Sequence, residues 1–412
     1  MPTHTSLPQP SERRVALRVT KDAQRQIRGG HPWVFASSIA SVSHDAPVGD
    51  LAVVFDDDRQ FVAIGLYDPD SPLRMRVLHH GRPRAIDEAF WVERIDAALA
   101  RRADLAESDE TTAYRCIHGE NDALPGLVLD RYDATYVLKL DTSAWIAHLA
   151  AIVPVIVERT RAERVVLRLS RAQRDNAERF GLADGHVLVG DTPPERVRFR
   201  ENGLSFDADV VRGQKTGHFL DQRDNRARVR DLSHGARVLD VFSCTGGFTV
   251  HAAAGGAKTV RSIDSSPHAI AAIKRNLAYN ESIESVRRCV TQAVVGDAFA
   301  VMRGLYAAGE RFDLVVVDPP SFASKQTDVD AAAAAYRKLT ELAVTLIAPG
   351  GVLVQSSCSS RIPASVFFEE VVAAASRVGR PLDEIERTGH AGDHPIGFAQ
   401  GEYLKTLFAL VP

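Results

Sequence analysis

From Val238 onward the chain switches repeatedly between short, wholly apolar runs and longer stretches of helical period. That alternation constrains the fold more than any other feature. Val238 to Phe242, Thr259 to Asp264, Phe312 to Asp318 and Gly351 to Ser356 read as strands, with helices over Phe248 to Ala254, Pro267 to Tyr279 and Val329 to Ile347. Strands that are apolar on successive residues must be covered on both faces, the pattern of a mostly parallel, doubly wound α/β sheet. Upstream, Arg196 to Phe206 alternates about Asn202-Gly203, a strong hairpin signal that marks the start of a domain spanning 196–412.

The remaining length implies one or two further domains. Residues 1 to about 12 carry Pro, Ser and Thr without periodicity and read as a frayed tail. Residues 13–84 alternate in short runs broken by Asp56-Asp57-Asp58 and Asp68-Pro69-Asp70, as expected of a small all-β module. Residues 85–195 mix an amphipathic helix through Phe90, Ile95 and Leu99 with strands at Leu127 to Asp130, Tyr136 to Leu140 and Arg164 to Leu169, an α+β middle domain. Uninterrupted apolar stretches such as Ala150 to Val157 fall short of the roughly 18 residues that span a bilayer, so a soluble, cytoplasmic protein without a membrane partner is expected. Cys116, Cys244, Cys289 and Cys358 have neither metal nor disulfide spacing, so reduced thiols and no metal site are expected. The net charge of −3 hides 42 arginines, several clustered at Ser11 to Trp33 and at Arg74, Arg76, Arg82 and Arg84. Such clusters suit phosphate contacts, although solvated faces built from arginine explain them equally well.

Three segments carry candidate chemistry. In Val238-Leu-Asp-Val-Phe-Ser-Cys-Thr-Gly-Gly-Phe248 a buried strand ends in a tight turn that opens a helix, bringing backbone N–H groups to a ligand. The spacing of Ser243-Cys244-Thr245-Gly246-Gly247 is not the G-x-G-x-x-G of dinucleotide binders. The next strand ends at Asp264, which can accept both hydroxyls of a ribose, and Gly296-Asp297-Ala298-Phe299 offers an acid to flank an adenine. In Leu314-Val-Val-Val-Asp-Pro-Pro-Ser-Phe322 the carboxylate of Asp318 stands at the carboxyl end of a buried strand, and two prolines fix the loop behind it. In Gly350-Gly-Val-Leu-Val-Gln-Ser-Ser-Cys-Ser-Ser360, Cys358 follows the next strand in a polar loop, where a thiol can act as a nucleophile. The other three cysteines read as small buried hydrophobes.

Together these segments resemble class I S-adenosylmethionine-dependent RNA methyltransferases, specifically the bacterial 23S ribosomal RNA cytosine-5 methyltransferases. His31-Pro-Trp-Val-Phe35 resembles the opening of that family's PUA domain, His118 to Arg131 its middle domain, Gly213 to Arg226 the approach to the catalytic domain, and Asp393-His-Pro395 with Gly401 to Lys405 its C-terminal end. The resemblance implies a Rossmann-like class I methyltransferase domain preceded by a PUA-like domain, with S-adenosylmethionine as cofactor. It places Asp240, Ser243, Cys244, Thr245, Gly246, Asp264, Asp297, Ala298 and Asp318 at the cofactor, and Cys358 and Asp318 at the reacting base. Cys358 would add to cytosine C6 while Asp318 holds the N3 and N4 edge. The implied partner is 23S rRNA or a large-subunit assembly intermediate, and a homodimer is left open.

Ser321 after the Asp-Pro-Pro, with Lys325 nearby, also resembles guanine-N7 rRNA methyltransferases, which need no covalent thiol. A guanine N-methyltransferase is therefore the competing enzyme, and a catalytically inert RNA-binding assembly factor the competing non-enzyme. Cys358 favours cytosine, and the intact Asp264, Asp297 and Asp318 favour an active enzyme.

Overall fold

The computed structural model describes residues 8–322 and 328–412, so Lys325 lies outside the described residues. The chain divides into two units. The first comprises the chain up to Phe199 with Ala208–His218 and Pro395–Phe398, and the second comprises Arg200–Asp207, Phe219–His394 and Ala399–Pro412.

The first unit holds a six-stranded and a five-stranded sheet. The six strands run in the order Trp33–Phe35, Leu73–His80, Phe61–Tyr67, Leu51–Phe55, Val15–Val19, Ile39–Val42. One eight-residue helix, Lys21–Arg28, joins this otherwise β module; the Thr20 hydroxyl caps it by accepting the Ala23 N–H, and Ala23 and Ile27 are buried. Leu51–Phe55 is buried on both faces. Leu51 and Val53 enter a core with Trp91, Trp145 and Leu138, whereas Ala52 and Val54 enter another with Leu17, Ile27 and Met75. The second sheet runs Val187–Val189, Arg164–Leu169, Thr135–Leu140, Leu127–Tyr132, Ala113–His118. Ser143–Thr160 is long and apolar enough to cross a membrane by length and composition alone. Its Trp145, Leu149, Ile152 and Ile156 are buried in the core of this unit.

The arginine clusters are less free than their sequence suggests. Arg76 pairs with Glu120 and Arg84 with Glu93, so the stretch that meets no acid in sequence meets two in space. Arg18, Arg25 and Arg28 lie against Asp57, Asp22 and Asp56. Arg13 and Arg14 are exposed.

The second unit is built on a seven-stranded sheet in the order Val290–Val295, Thr259–Asp264, Arg237–Val241, Phe312–Val317, Ile347–Ser357, Lys405–Val411, Asp383–Thr388. The first five are mutually parallel; Lys405–Val411 is antiparallel to both its neighbours. Alternation along Leu314–Val317 explains its uninterrupted apolar run, because Val315 and Val317 face one core while Leu314 and Val316 face the other. From Arg237–Val241 the chain moves outward to Thr259 and Val290, then returns to the opposite side at Phe312. The carboxyl ends of Arg237–Val241 and Phe312–Val317 therefore flank the point where strand order reverses, the place where open α/β sheets bind ligands.

Candidate active site

Five residues after the strand Arg237–Val241 form a compressed turn. Phe242, Cys244 and Gly246 all take positive φ, at 64°, 48° and 83°. Two non-glycine residues in this region are a concentrated departure from ordinary backbone, of the kind found at ligand sites. The turn is held from outside: Ser243 N–H donates to Ile263 O at 3.0 Å, Cys244 N–H to Asp264 Oδ2 at 2.9 Å, and Asn276 Nδ2 to Thr245 O at 2.8 Å. Gly246 is required twice over, since a Cβ there would sit 2.9 Å from Ile273 Cγ1 and its φ disfavours any side chain. The helix Gly247–Ala254 follows directly, with its N-terminal end at the turn.

Below the turn Asp240 is almost completely buried. Its Oδ2 accepts the Thr249 hydroxyl at 2.6 Å, while Oδ1 has no hydrogen-bond partner. Burial pushes its carboxyl up to about 7, and the charges of Asp318 and Asp264 add to the rise while Thr249 opposes it. A buried carboxylate with an orphaned oxygen is costly unless a ligand completes it. Cys244, beside it, is likewise pushed up to about 11 by burial and stays a neutral thiol.

Asp264 closes the strand Thr259–Asp264. Its Oδ2 takes the Cys244 N–H and its Oδ1 the Ser266 N–H at 2.8 Å, which leaves a lone pair on each oxygen for a further donor. Asp297 is exposed and caps the helix Ala298–Ala307 through Ala300 N–H at 2.9 Å, and Ala298 is buried behind it.

Asp318 follows the neighbouring strand Phe312–Val317. Its N–H donates to Val241 O at 3.3 Å, and its Oδ1 accepts Gln222 Nε2 at 3.0 Å. Gln222 is itself fixed, because its Oε1 accepts Asn225 Nδ2 at 2.6 Å. Val317 pairs with Gln355 across adjacent parallel strands, so Asp318 and the residues after Ser356 leave the sheet at the same edge. Cys358 is partly exposed there, its Sγ donating to Pro319 O at 3.8 Å. The structure thus brings Asp240, the 243–246 turn and Asp264 together around the strand Arg237–Val241, and Asp318 and Cys358 together at the ends of Phe312–Val317 and Ile347–Ser357.

The comparisons with known proteins decide the family. A family model described as S-adenosylmethionine-dependent methyltransferase matches residues 178–397, and one described as a PUA-like domain matches residues 17–80. A ribosomal RNA large subunit methyltransferase of Deinococcus radiodurans is 46% identical over 407 residues, covering 98% of this chain and 99% of the relative. The chain belongs to the S-adenosylmethionine-dependent ribosomal RNA large subunit methyltransferases. Ribosomal RNA large subunit methyltransferase I of Klebsiella pneumoniae is 35% identical to this methyltransferase over 391 residues, covering 94% and 96% of the two chains. An S-adenosylmethionine-dependent methyltransferase from Streptococcus mutans shares the fold at a TM-score of 0.80 and 21% identity, over 96% of this chain and all of that one. A methyltransferase solved with S-adenosylhomocysteine does so at 0.82 and 20%, over 97% of this chain and 100% of that one.

The cofactor of the methyltransferase is S-adenosylmethionine. The residues present fit it: the orphaned Asp240 oxygen and the strained turn capped by a helix N-terminus provide a polar cradle at the strand switch. Three residues that support the site were not singled out in the sequence. Thr249 holds Asp240, Gln222 holds Asp318, and Lys405 ties down the loop after Cys358. Gln222 and Lys405 do fall within segments that carry the family resemblance, which was the only signal for them.

Proposed function

We propose that this methyltransferase acts on large-subunit ribosomal RNA and places the methyl group on C5 of a cytosine, with Cys358 as nucleophile. The observation that carries this reading is the placement of the Cys358 sulfur against the carbonyl of Pro319, within the Asp318-Pro-Pro loop. Cytosine C5 is a poor nucleophile, and adding a thiolate to C6 makes it enamine-like. Asp318, held by Gln222, would hydrogen-bond the N3 and N4 edge and favour protonation at N3 as the adduct forms. S-adenosylmethionine supplies an electrophilic methyl group on its sulfonium. For it, Ser243 to Gly246 would line the methionine end, with Asp240 beneath, Asp264 would take the ribose, and Asp297 and Ala298 would border the adenine. The target base must be single-stranded or flipped out to reach the thiol. Within this division of labour residues 13–84 supply RNA affinity, 85–195 form the middle domain, and 196–412 carry the chemistry.

An RNA carrying 5-fluorocytosine at the target position tests this. The fluorine cannot leave as a proton, so the protein should be trapped as a covalent adduct visible on denaturing electrophoresis. Cys116→Ala and Cys289→Ala should still trap. Normal methylation by Cys358→Ala would remove the covalent mechanism and promote a guanine N-methyltransferase in its place.

A further inference from the structure

Lys405 is the first residue of the strand Lys405–Val411, directly opposite Ser357 in the antiparallel register. Its side chain is buried, at 3% exposure, and the described hydrogen bonds of its ammonium all go to backbone carbonyls: Ser359, Ile362 at 2.7 Å and Tyr403 at 3.4 Å. No carboxylate lies within ion-pair distance of it among the described residues. Two of its three carbonyls belong to the loop that begins at Cys358. A buried ammonium that lacks a carboxylate partner is costly, since carbonyl dipoles solvate it without neutralising it. The negative charges that reach it are those of the Cys358 thiolate, at the start of that loop, and the exposed Glu402 carboxylate, with the thiolate the larger of the two.

We propose that Lys405 is a positioning residue for Cys358, locking the 358–362 loop through its carbonyls and stabilising the thiolate through its charge. The inference rests on the reading of Cys358 as the nucleophile. Ionisation is a plain proton loss from the thiol to solvent, leaving an ammonium and thiolate as neighbours in place of a buried cation held only by carbonyl dipoles and the more distant charge of Glu402. Burial lowers the Lys405 ammonium to about 8, and the charges of Cys358 and Glu402 oppose that fall. Among the described residues, the ionisable groups near the thiol include the buried Tyr336 phenol, held un-ionised by desolvation, Asp318 in the neighbouring loop, whose charge disfavours the thiolate, and the exposed Arg361 in the same loop.

Reaction of Cys358 with iodoacetamide, followed by peptide mass across a pH series, reads the thiolate without RNA. In Lys405→Met, alkylation at pH 7 should slow about tenfold, equivalent to about one pH unit in the thiol titration, while calorimetric cofactor binding persists. An unchanged pH profile in a folded, cofactor-binding Lys405→Met protein would overturn the proposal. A second measurement needs no change at Lys405: the chain has only eight lysines, so a carbon-13 lysine spectrum can follow their titration. In Cys358→Ser, the Lys405 midpoint should fall relative to the wild type, and an identical midpoint would also overturn the proposal. If 5-fluorocytosine trapping fails while both shifts appear, the Lys405–Cys358 coupling stands and the covalent mechanism does not.

Discussion

The sulfur of Cys358 lies 3.8 Å from the carbonyl oxygen of Pro319, although 39 residues separate them in the chain. A helix and a strand intervene, and the parallel pairing of Phe312–Val317 with Ile347–Ser357 brings their carboxyl ends to one edge. The thiol therefore stands beside the loop that carries Asp318, and Asp318 is in turn held by Gln222.

Removing that support should impair catalysis without impairing cofactor binding. Gln222→Leu deletes a hydrogen bond to a carboxylate, a contact worth about 1.5–3 kcal/mol. We expect kcat on RNA to fall about 10- to 100-fold, with S-adenosylmethionine affinity by calorimetry within about twofold of wild type. A KM effect alone would place Gln222 in RNA binding.

Asp264 is expected to matter to the cofactor twice, through its own oxygens and through the turn it holds. Asp264→Ala frees the N–H groups of Cys244 and Ser266 and removes the proposed ribose acceptor. Affinity should drop by at least about tenfold, the equivalent of about 1.4 kcal/mol, in a titration of cofactor into the variant. Gly246→Ala should weaken binding as well, because the new methyl meets Ile273 and the turn cannot keep its φ.

Asp240 is expected to make cofactor binding pH-dependent. In the free protein burial holds its carboxyl at about 7, so below that pH it is largely protonated. The cationic amino and sulfonium groups of the cofactor favour the carboxylate, so binding below pH 7 expels a proton. Affinity should rise with pH, by up to about tenfold per unit, and level off above about pH 7. Calorimetry in buffers of different ionisation enthalpy at pH 6 counts the released proton, and Asp240→Asn should abolish it. For the unliganded protein the sign is reversed: a carboxyl raised from 3.8 to about 7 costs stability progressively as pH climbs through that window.

The hairpin Arg200–Asp207 is anchored by a buried ion pair. Arg226 meets Glu201 through two bonds of 2.7 Å, and His251 stacks on Phe206 close by. Glu201→Ala would leave the guanidinium buried and unpaired, a loss of about 3–5 kcal/mol in denaturant unfolding of the second unit. A loss below about 1 kcal/mol would mean that water replaces the carboxylate.

Arg13 and Arg14 are exposed cations of the N-terminal module that, like Lys21, Arg59 and Arg82, form no salt bridge among the described residues. If they touch RNA phosphates, Arg13→Gln with Arg14→Gln should flatten the plot of log affinity against log salt by about 0.7 per lost contact on single strands. Cofactor affinity should not move.

The sequence was most legible where local chemistry and tertiary burial agree. Leu314–Val317 reads as a buried strand because both its faces are dry, and Asn202-Gly203 reads as a hairpin because both residues adopt positive φ, 51° and 78°. The outer strands were not legible. Asp383–Thr388 and Val290–Val295 lie at the two edges of the sheet, largely exposed, and their mixed polar residues carry no period that separates them from loop. The residues that support the site were hidden for a different reason. Gln222 and Lys405 gain their partners from strands and loops far along the chain, through register that no local pattern encodes. The pairing of two clustered arginines was hidden as well, since Glu120 and Glu93 reach Arg76 and Arg84 only in the folded state, while Arg74 and Arg82 form no salt bridge among the described residues.

The strand Leu51–Phe55 divides its side chains between two cores, and that shapes how the N-terminal module can change over time. A strand with two dry faces has no position where substitution is free: a change at Val53 disturbs the packing around Trp91 and Trp145, and one at Val54 disturbs the packing around Ile27 and Met75. Excising the module to study it alone would tear open the neighbouring core as well. On the RNA-binding role proposed for this module, new preferences would have to arise at the rim, in turns such as Asp57 to Arg59, where side chains face water. The centre of the sheet acts as a fixed chassis, and whatever specificity this module acquires is written around its edge.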